Sequence, residues 1–260
     1  MRVAWIFFLG SAVFLASAHL NSQQKSTAVQ RDAQALAIVQ QSVRAMASSA
    51  PADSSATGSV TIVEGSTTQS GTIQILTLGA SQTSEILILP DGTRTVVYSN
   101  GLAKETNGTQ AAAPPLETVV TDQCSDFPLP LLLSALNDPD TSMRYVGPET
   151  LDGTAVQHIQ VWNSFASKPR LQKLASFSLR DIWFDSSSAL PLKIAHTRRE
   201  GGGAAPSIPV EISFANYTKV AGVLYPFQIT KSFNGTPWQT ITIQNVSFNT
   251  GLTAAQFQVE

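Results

Sequence analysis

Between residues 27 and 47 the apolar side chains Leu36, Val39, Val43 and Met46 recur at spacings of three, four and three. That period draws one apolar stripe along a helix, with Gln and Arg on the other faces. The stretch ASSAPADSSATG (47–58) has no period and is made of Ala, Ser, Pro and Gly, which predicts a linker. Beyond it the period falls to two. GSVTIVEG and GTIQILTLG read as consecutive strands, and EILILP is joined through Asp91-Gly92 to TRTVVYSN. Asn100-Gly101, Asp152-Gly153 and Asn234-Gly235 mark further two-residue turns, because Asn, Asp and Gly tolerate the positive φ that tight hairpins demand. Later strands are AVQHIQVW, SFSLRDIWF, LPLKIAHTRR, VEISFANY, YPFQITKSF and WQTITIQNVSF, with a short helix at LPLLLSALN (129–137) interrupting the series. Segments 102–118 and 200–206 lack a core pattern and predict mobile insertions. The pattern predicts a mainly β (α+β) fold, an N-terminal helix followed by eight to eleven antiparallel strands. A helix with one apolar face must bury it, and a curved, incomplete β-barrel wrapped around that helix is the simplest arrangement.

Side chains alternate across a strand, so residues of one parity share a face. One face then collects Leu192, Ile194 and His196, followed by Val210, Ile212 and Phe214. It continues with Tyr225, Phe227 and Ile229, then Ile241 and Ile243. The other parity carries Lys193, Thr197, Glu211, Ser213, Tyr217, Gln228 and Thr230. Such sorting belongs to an antiparallel sheet that covers something on one side only. A single helix is roughly 10–12 Å across and cannot by itself fill a strongly curved sheet. The candidate lining of a ligand cavity is therefore Leu36, Val39 and Val43 from the helix, with Leu192, Ile194, Val210, Ile212, Phe214, Phe227, Ile229, Ile241 and Ile243 from the strands.

The first residues change where such a protein works. Arg2 precedes an apolar run from Val3 to Leu15 and the small residues Ala16-Ser17-Ala18, the layout of a signal peptide cleaved after Ala18. A spanning helix needs about 20 predominantly apolar residues, more than this run supplies. Residues 1–18 are thus expected to be removed, leaving one exported domain over 19–260, periplasmic or secreted, with no stable membrane span. Loss of Arg2 leaves 15 basic and 18 acidic residues, a formal charge of −3 without a basic stripe, so nucleic acid is an unsuitable partner. Cys124 is the single cysteine and reads as a small buried hydrophobe, or else as half of an intermolecular disulfide. With one cysteine and three histidines, no metal site or other cofactor is expected. The sequons at Asn107, Asn216, Asn234 and Asn245 matter only in a glycosylating host.

Three stretches carry a family resemblance: GPETLDGTAVQHIQVW (147–162), IWFDSSSALPLKIAHT (182–197), and NYTKVAGVLYPFQI continued to ITIQNVSFNTGLTAAQFQV near the C-terminus. In this order, behind a leader and a helix, the chain from about residue 30 to 260 resembles the periplasmic lipoprotein-carrier superfamily (LolA/LolB-like, outer-membrane lipoprotein-sorting-protein-like). The resemblance implies a half-barrel with the helix as lid and an apolar cavity for an acyl chain of a lipid or lipoprotein. At roughly 0.8 kcal/mol per methylene, a long acyl chain would gain on the order of 10 kcal/mol before ordering costs. In the family's carriers an arginine on an early strand fastens the lid through helix carbonyls. The two early strands here contain none, and Arg94 lies further along.

No nucleophile elbow, zinc-protease helix or phosphate loop is present in the sequence. His158 and His196 sit inside strands, and EGGGAAP lacks a strand-to-helix context. Asp181 and Asp185 flank Trp183, but Asp185 opens a turn where Asp is favoured for its local hydrogen bonds. The expectation is a non-enzymatic carrier. The alternative is an envelope protein-interaction or sensor module on the same fold with its core filled and a protein partner.

Overall fold

The computed structural model describes residues 29–122, 126–199 and 207–259. The expected leader, Cys124 and the glycine-rich segment 200–206 lie outside the described residues. Helix α1 (Ala33–Met46) begins later than the sequence pattern suggests. Residues before it are drawn into strand-like bonds, Met143 N–H to Gln30 O at 2.7 Å and Asp32 N–H to Met143 O at 3.1 Å. Asp32 then caps the helix, its carboxylate accepting from the amides of Gln34 and Ala35 at 2.8 and 3.1 Å.

Two meanders make the sheet. The first runs β1 (Asp53–Glu64), β2 (Thr67–Leu78), β3 (Gln82–Leu89), β4 (Gly92–Ser99), β5 (Leu102–Asn107) and β6 (Gln110–Ala112). The second runs β7 (Thr141–Leu151), β8 (Thr154–Asn163), β9 (Arg180–Asp185), β10 (Pro191–Arg199), β11 (Ser207–Val220), β12 (Val223–Phe233) and β13 (Thr236–Phe248). Pairing of β1 with β13 joins them into one antiparallel sheet of thirteen strands, with β6 and β7 as its two end strands. The sheet is open, a curved half-barrel. Because β6 and β7 are opposite edges, the chain between them must cross the concavity, and it does so with α2 (Leu116–Asp122) and α3 (Pro128–Asn137).

Three expectations need correction. Residues 53–58, expected in a linker, are already β1, where small side chains suit a close strand approach. Gly58 shows why: a Cβ there would lie 2.2 Å from the carbonyl oxygen of Thr242 on β13. The segment 102–118, expected to be a mobile insertion, forms β5, β6 and the start of α2. Its residues lack an apolar stripe because β6, at the sheet edge, is exposed along its length. Strand β7 was hidden by Gly147-Pro148, which sits at a register shift between Tyr145 and Gly147 on an edge strand, where proline is tolerated. SFSLRDIWF likewise is strand only from Arg180: Ser176 and Phe177 close a 3₁₀ helix, Pro169–Phe177, and Ser178 and Leu179 link it to β9.

The turns match their sequence signals. Both residues of Asn100-Gly101, Asp152-Gly153 and Asn234-Gly235 have positive φ. At Asp91-Gly92 the register places the loop one residue earlier, since Leu89 already pairs with Gly92. Between β11 and β12, Ala221 and Gly222 make the turn at φ 46° and 87°. Pro226 is accommodated because the β12–β13 ladder reaches only from Phe233 to Gln228.

Candidate functional site

The apolar parity packs into the core, and α1 fills part of the concavity. Val39 and Met46 on α1 are fully buried, and so are Tyr225, Ile229 and Ile241 on the sheet. Each such side chain contributes about 1.5–3 kcal/mol by burial. Ile194, Phe214 and Ile243 belong to the same cluster, with Leu36, Val43 and Phe227 partly buried against it. Leu192 is only half-buried, next to a register shift between Pro191 and Lys193. Tyr217 corrects the parity rule. Asn216 adopts φ 55°, which breaks the alternation, and Tyr217 packs against the core with its hydroxyl donating to Pro191 O at 2.8 Å.

A partly open cavity of about 340 Å³ lies away from α1, between the β1–β5 wall and the β10–β13 wall. Of the expected lining only Val210 and Ile212 reach it, and α1 contributes none of its wall. Ile62, Ile75, Leu87 and Phe127 add to the apolar side, with Val96, Phe233 and Trp238. The polar side is a buried cluster that spans the interior. Lys231 Nζ on β12 lies 2.7 Å from Glu85 Oε2 on β3 and 2.6 Å from Asp126 Oδ1, just before α3. Gln239 Nε2 on β13 donates to Glu85 Oε1 at 2.7 Å. Side-chain exposure is only 12% for Lys231, 15% for Glu85 and 14% for Asp126. Curvature of the sheet is what brings β3 over β12 and β13.

Two carboxylates share one ammonium here, and their acidities separate. Burial works against an ionised Glu85, but Lys231 and the hydrogen bonds from Asp126, Lys231 and Gln239 outweigh it and hold the pKa down at about 2. Burial pushes Asp126 up to about 7, with the Glu85 charge adding to it and Lys231 opposing. Lys231 is raised: desolvation disfavours its charge, yet Asp126 and Glu85 more than compensate. Tyr225 is fully buried and its hydroxyl has no hydrogen-bond partner among the described residues; burial, then Asp126 and Glu85, push the phenol well above its usual range.

Further along the cavity His196 Nε2 lies 3.0 Å from Asp122 Oδ1, and Arg198 is 3.6 Å from the other carboxylate oxygen. Arg94, at the rim, pairs with Glu64 at 2.6 Å and Asp91 at 2.8 Å. It touches no helix carbonyl among these partners. That bonding falls to two other arginines. Arg31 donates to the carbonyls of Ala135 at 2.8 Å, Asp138 at 2.9 Å, and Leu136 and Thr141 at 3.2 Å, tying the N-terminal segment to the end of α3. Arg180 donates to Val120 O and Thr121 O at 3.0 and 2.9 Å at the end of α2. A second cavity, about 390 Å³, lies beside α3 and β8, lined by Arg180 and by loop ends.

His158 is placed in an outer-face network. Its ring nitrogens lie 2.7 Å from Glu149 Oε1 and 2.7 Å from Asp181 Oδ1, and the ring stacks on Trp183 at 4.4 Å. Trp183 Nε1 donates to Glu149, and Lys193 covers the indole ring from 4.5 Å. Asp185 accepts from the amides of Ser187 and Ser188 as a turn residue should. Among the described residues, the side-chain hydrogen-bond partners of the two histidines are carboxylates.

Sequence reading missed Glu85, Asp126, Lys231 and Gln239. A signal existed for three of them. Glu85 shares parity with buried Leu87 and Leu89, Lys231 with Tyr225 and Ile229, and Gln239 with Ile241 and Ile243. Polar side chains on the apolar parity of three strands mark a cavity or an internal ion pair.

No family model matches the chain, and no curated protein sequence matches it. Solved structures do. An outer-membrane lipoprotein-sorting-protein domain from Vibrio parahaemolyticus superposes with a TM-score of 0.60 at 14% identity, over 86% of this chain and 96% of that one. A LolA-superfamily protein from Nitrosomonas europaea gives 0.58 at 9% identity, over 86% and 97%. A DUF1329-family protein from Desulfovibrio piger gives 0.58 at 11% identity, over 88% and 98%. At such identities the likeness is one of fold.

Proposed function

We propose that this chain, which has the open half-barrel fold of the LolA superfamily, is an exported, non-catalytic binding protein for an amphiphilic molecule with one acyl-sized apolar part. The observation that carries this reading is the cavity of about 340 Å³ with an aliphatic wall facing a buried ionic cluster. That volume is at the lower end of the ~300–1,000 Å³ common for small-molecule sites. It suits a single chain, or part of one, rather than a multiply acylated lipoprotein anchor. Ile62, Ile75, Leu87, Val210 and Ile212 would hold the tail, and the charged side would meet the head. No helix among the described residues is long and apolar enough to cross a membrane, which accords with a carrier working between membranes. The leader at residues 1–18 supports export to the periplasm or beyond.

Native mass spectrometry of protein recovered from its exporting cell tests the proposal, with displacement of a neutral solvatochromic dye as the second readout. A co-purifying single-chain amphiphile that displaces the dye is the expected result. Protein of bare mass that also takes up no dye would overturn it.

A second reading has its own support. Much of the concave face is already filled, since Val39, Phe214, Ile229, Ile241 and Ile243 are buried in the core. A sensor or interaction module of the envelope would look like this. It would yield a protein partner on crosslinking and no bound lipid.

A further inference from the structure

We propose that the head group this cavity accepts is a protonated amine, so that its ligand is a single-chain ammonium amphiphile held at Gln239, Glu85 and Asp126. The inference rests on the cavity being the ligand site and adds the chemistry of the head. The first observation is the balance of charge. Glu64, Glu85, Glu105, Asp122 and Asp126 line the cavity, against the fixed cations Arg94, Arg198 and Lys231. Arg94 also serves Asp91 outside the cavity wall. The surplus is concentrated at Lys231, whose one charge faces two carboxylates at 2.6 and 2.7 Å.

The second observation is independent of charge. Gln239 is fully buried and lines the cavity, and its Oε1 has no hydrogen-bond donor among the described residues. The orientation of the amide follows from its other end, because Nε2 must donate to Glu85 Oε1. A buried acceptor left without a donor is destabilising, and an entering N–H would remove that cost. An ammonium carries three such donors and no acceptor, and it supplies the missing positive charge in the same position. A carboxylate or phosphate head would offer Gln239 Oε1 nothing and would add a third anion beside Glu85 and Asp126. A neutral hydroxyl could donate to Gln239 but would leave the charge surplus in place. Asp126, held mostly protonated below about pH 7 by its surroundings, would ionise when a second cation arrives.

Calorimetric titration at pH 7.5 with dodecylammonium, dodecanoate and dodecan-1-ol, each below its micelle concentration, tests the inference on the intact exported chain. Dodecylammonium is expected to bind at least about tenfold more tightly than either of the others. Asp126→Asn should remove about tenfold of that affinity while leaving the alcohol unchanged, and Gln239→Leu should remove about tenfold from the ammonium and weaken the alcohol as well. Ile212→Trp, which fills the apolar end, should abolish binding of all three. Equal or tighter binding of dodecanoate or the alcohol would overturn the ammonium head and leave the carrier reading standing. Failure of all three to bind would overturn both. Ammonium binding that survives Ile212→Trp would place it on the acidic surface and refute the site.

Discussion

Replacing Asp126 by asparagine should make the protein more stable at pH 8 while leaving it nearly unchanged at pH 4.5. Asp126 in the folded chain is raised from 3.8 to about 7, mainly by burial. Between those two values the folded state holds a proton that the unfolded chain has released. Stability therefore falls as pH rises through that window, and the penalty is complete above about 7 and absent below 3.8. About three pKa units at about 1.4 kcal/mol each set a ceiling near 4 kcal/mol that already includes the pull of Lys231 and Glu85, and local relaxation around a side chain 14% exposed brings the expected effect to about 2 kcal/mol. Asparagine is close to the protonated acid in shape, and its N–H can donate toward Glu85 in place of the acid O–H. Lys231 keeps its contact with Glu85 at 2.7 Å, and Glu85, held at about 2, does not titrate in the window. Urea unfolding of the two proteins at pH 4.5, 6 and 8 gives the stability difference directly. It should open from near zero to about 2 kcal/mol in favour of asparagine. Parallel stability curves would refute the buried, shared-cation account of this cluster.

Gly58→Ala should cost at least about 2 kcal/mol or prevent folding, because the new Cβ meets Thr242 O at 2.2 Å and only backbone can move; an unchanged melting temperature would remove that close approach. Arg31→Ala should loosen the end of α3 by about 1–3 kcal/mol, read as faster amide exchange there, and Arg31→Lys should restore only part because an ammonium lacks the guanidinium fork. Asp53→Asn should free the C-terminal segment, since Oδ1 accepts from Thr250 at 2.7 and 2.8 Å and Oδ2 from Gly251 and Leu252 at 3.0 and 3.2 Å. Limited proteolysis after Asn249 should then become fast. Burial opposes ionisation of Asp53, but these bonds to Thr250, Gly251 and Leu252 win and lower its pKa below 3.8. The wild-type clasp therefore persists above that value and is lost as pH falls through the lowered pKa, a loss the asparagine variant should not show.

How much of this was legible follows from which interactions are local. Alternation in β10 to β13 and the Asn-Gly and Asp-Gly pairs are properties of neighbouring residues, and they placed strands and turns within a few positions. Strand β6 broke the rule because an edge strand with exposed side chains needs no apolar period, and β5, between it and β4, buries only Ala103. Asn216 broke it differently: one residue at φ 55° moves Tyr217 from the polar parity to the core, and Asn is among the few side chains that tolerate that conformation. The cavity fell outside the expected lining for a physical reason. Apolar side chains of matching parity pack against α1 and one another until the space is filled, so the residues that read as greasiest are those least available to a ligand. Space survives where packing is obstructed, and in this chain the obstruction is charge. Glu85 and Lys231, 146 residues apart, each stand on the apolar parity of their strand. Alone, each would be a costly buried charge; together with Asp126 and Gln239 they hold the two walls at hydrogen-bonding distance. The mismatch of each side chain with its own strand can be read locally. Their partnership depends on the curvature that carries β3 across to β12, a property of the whole sheet.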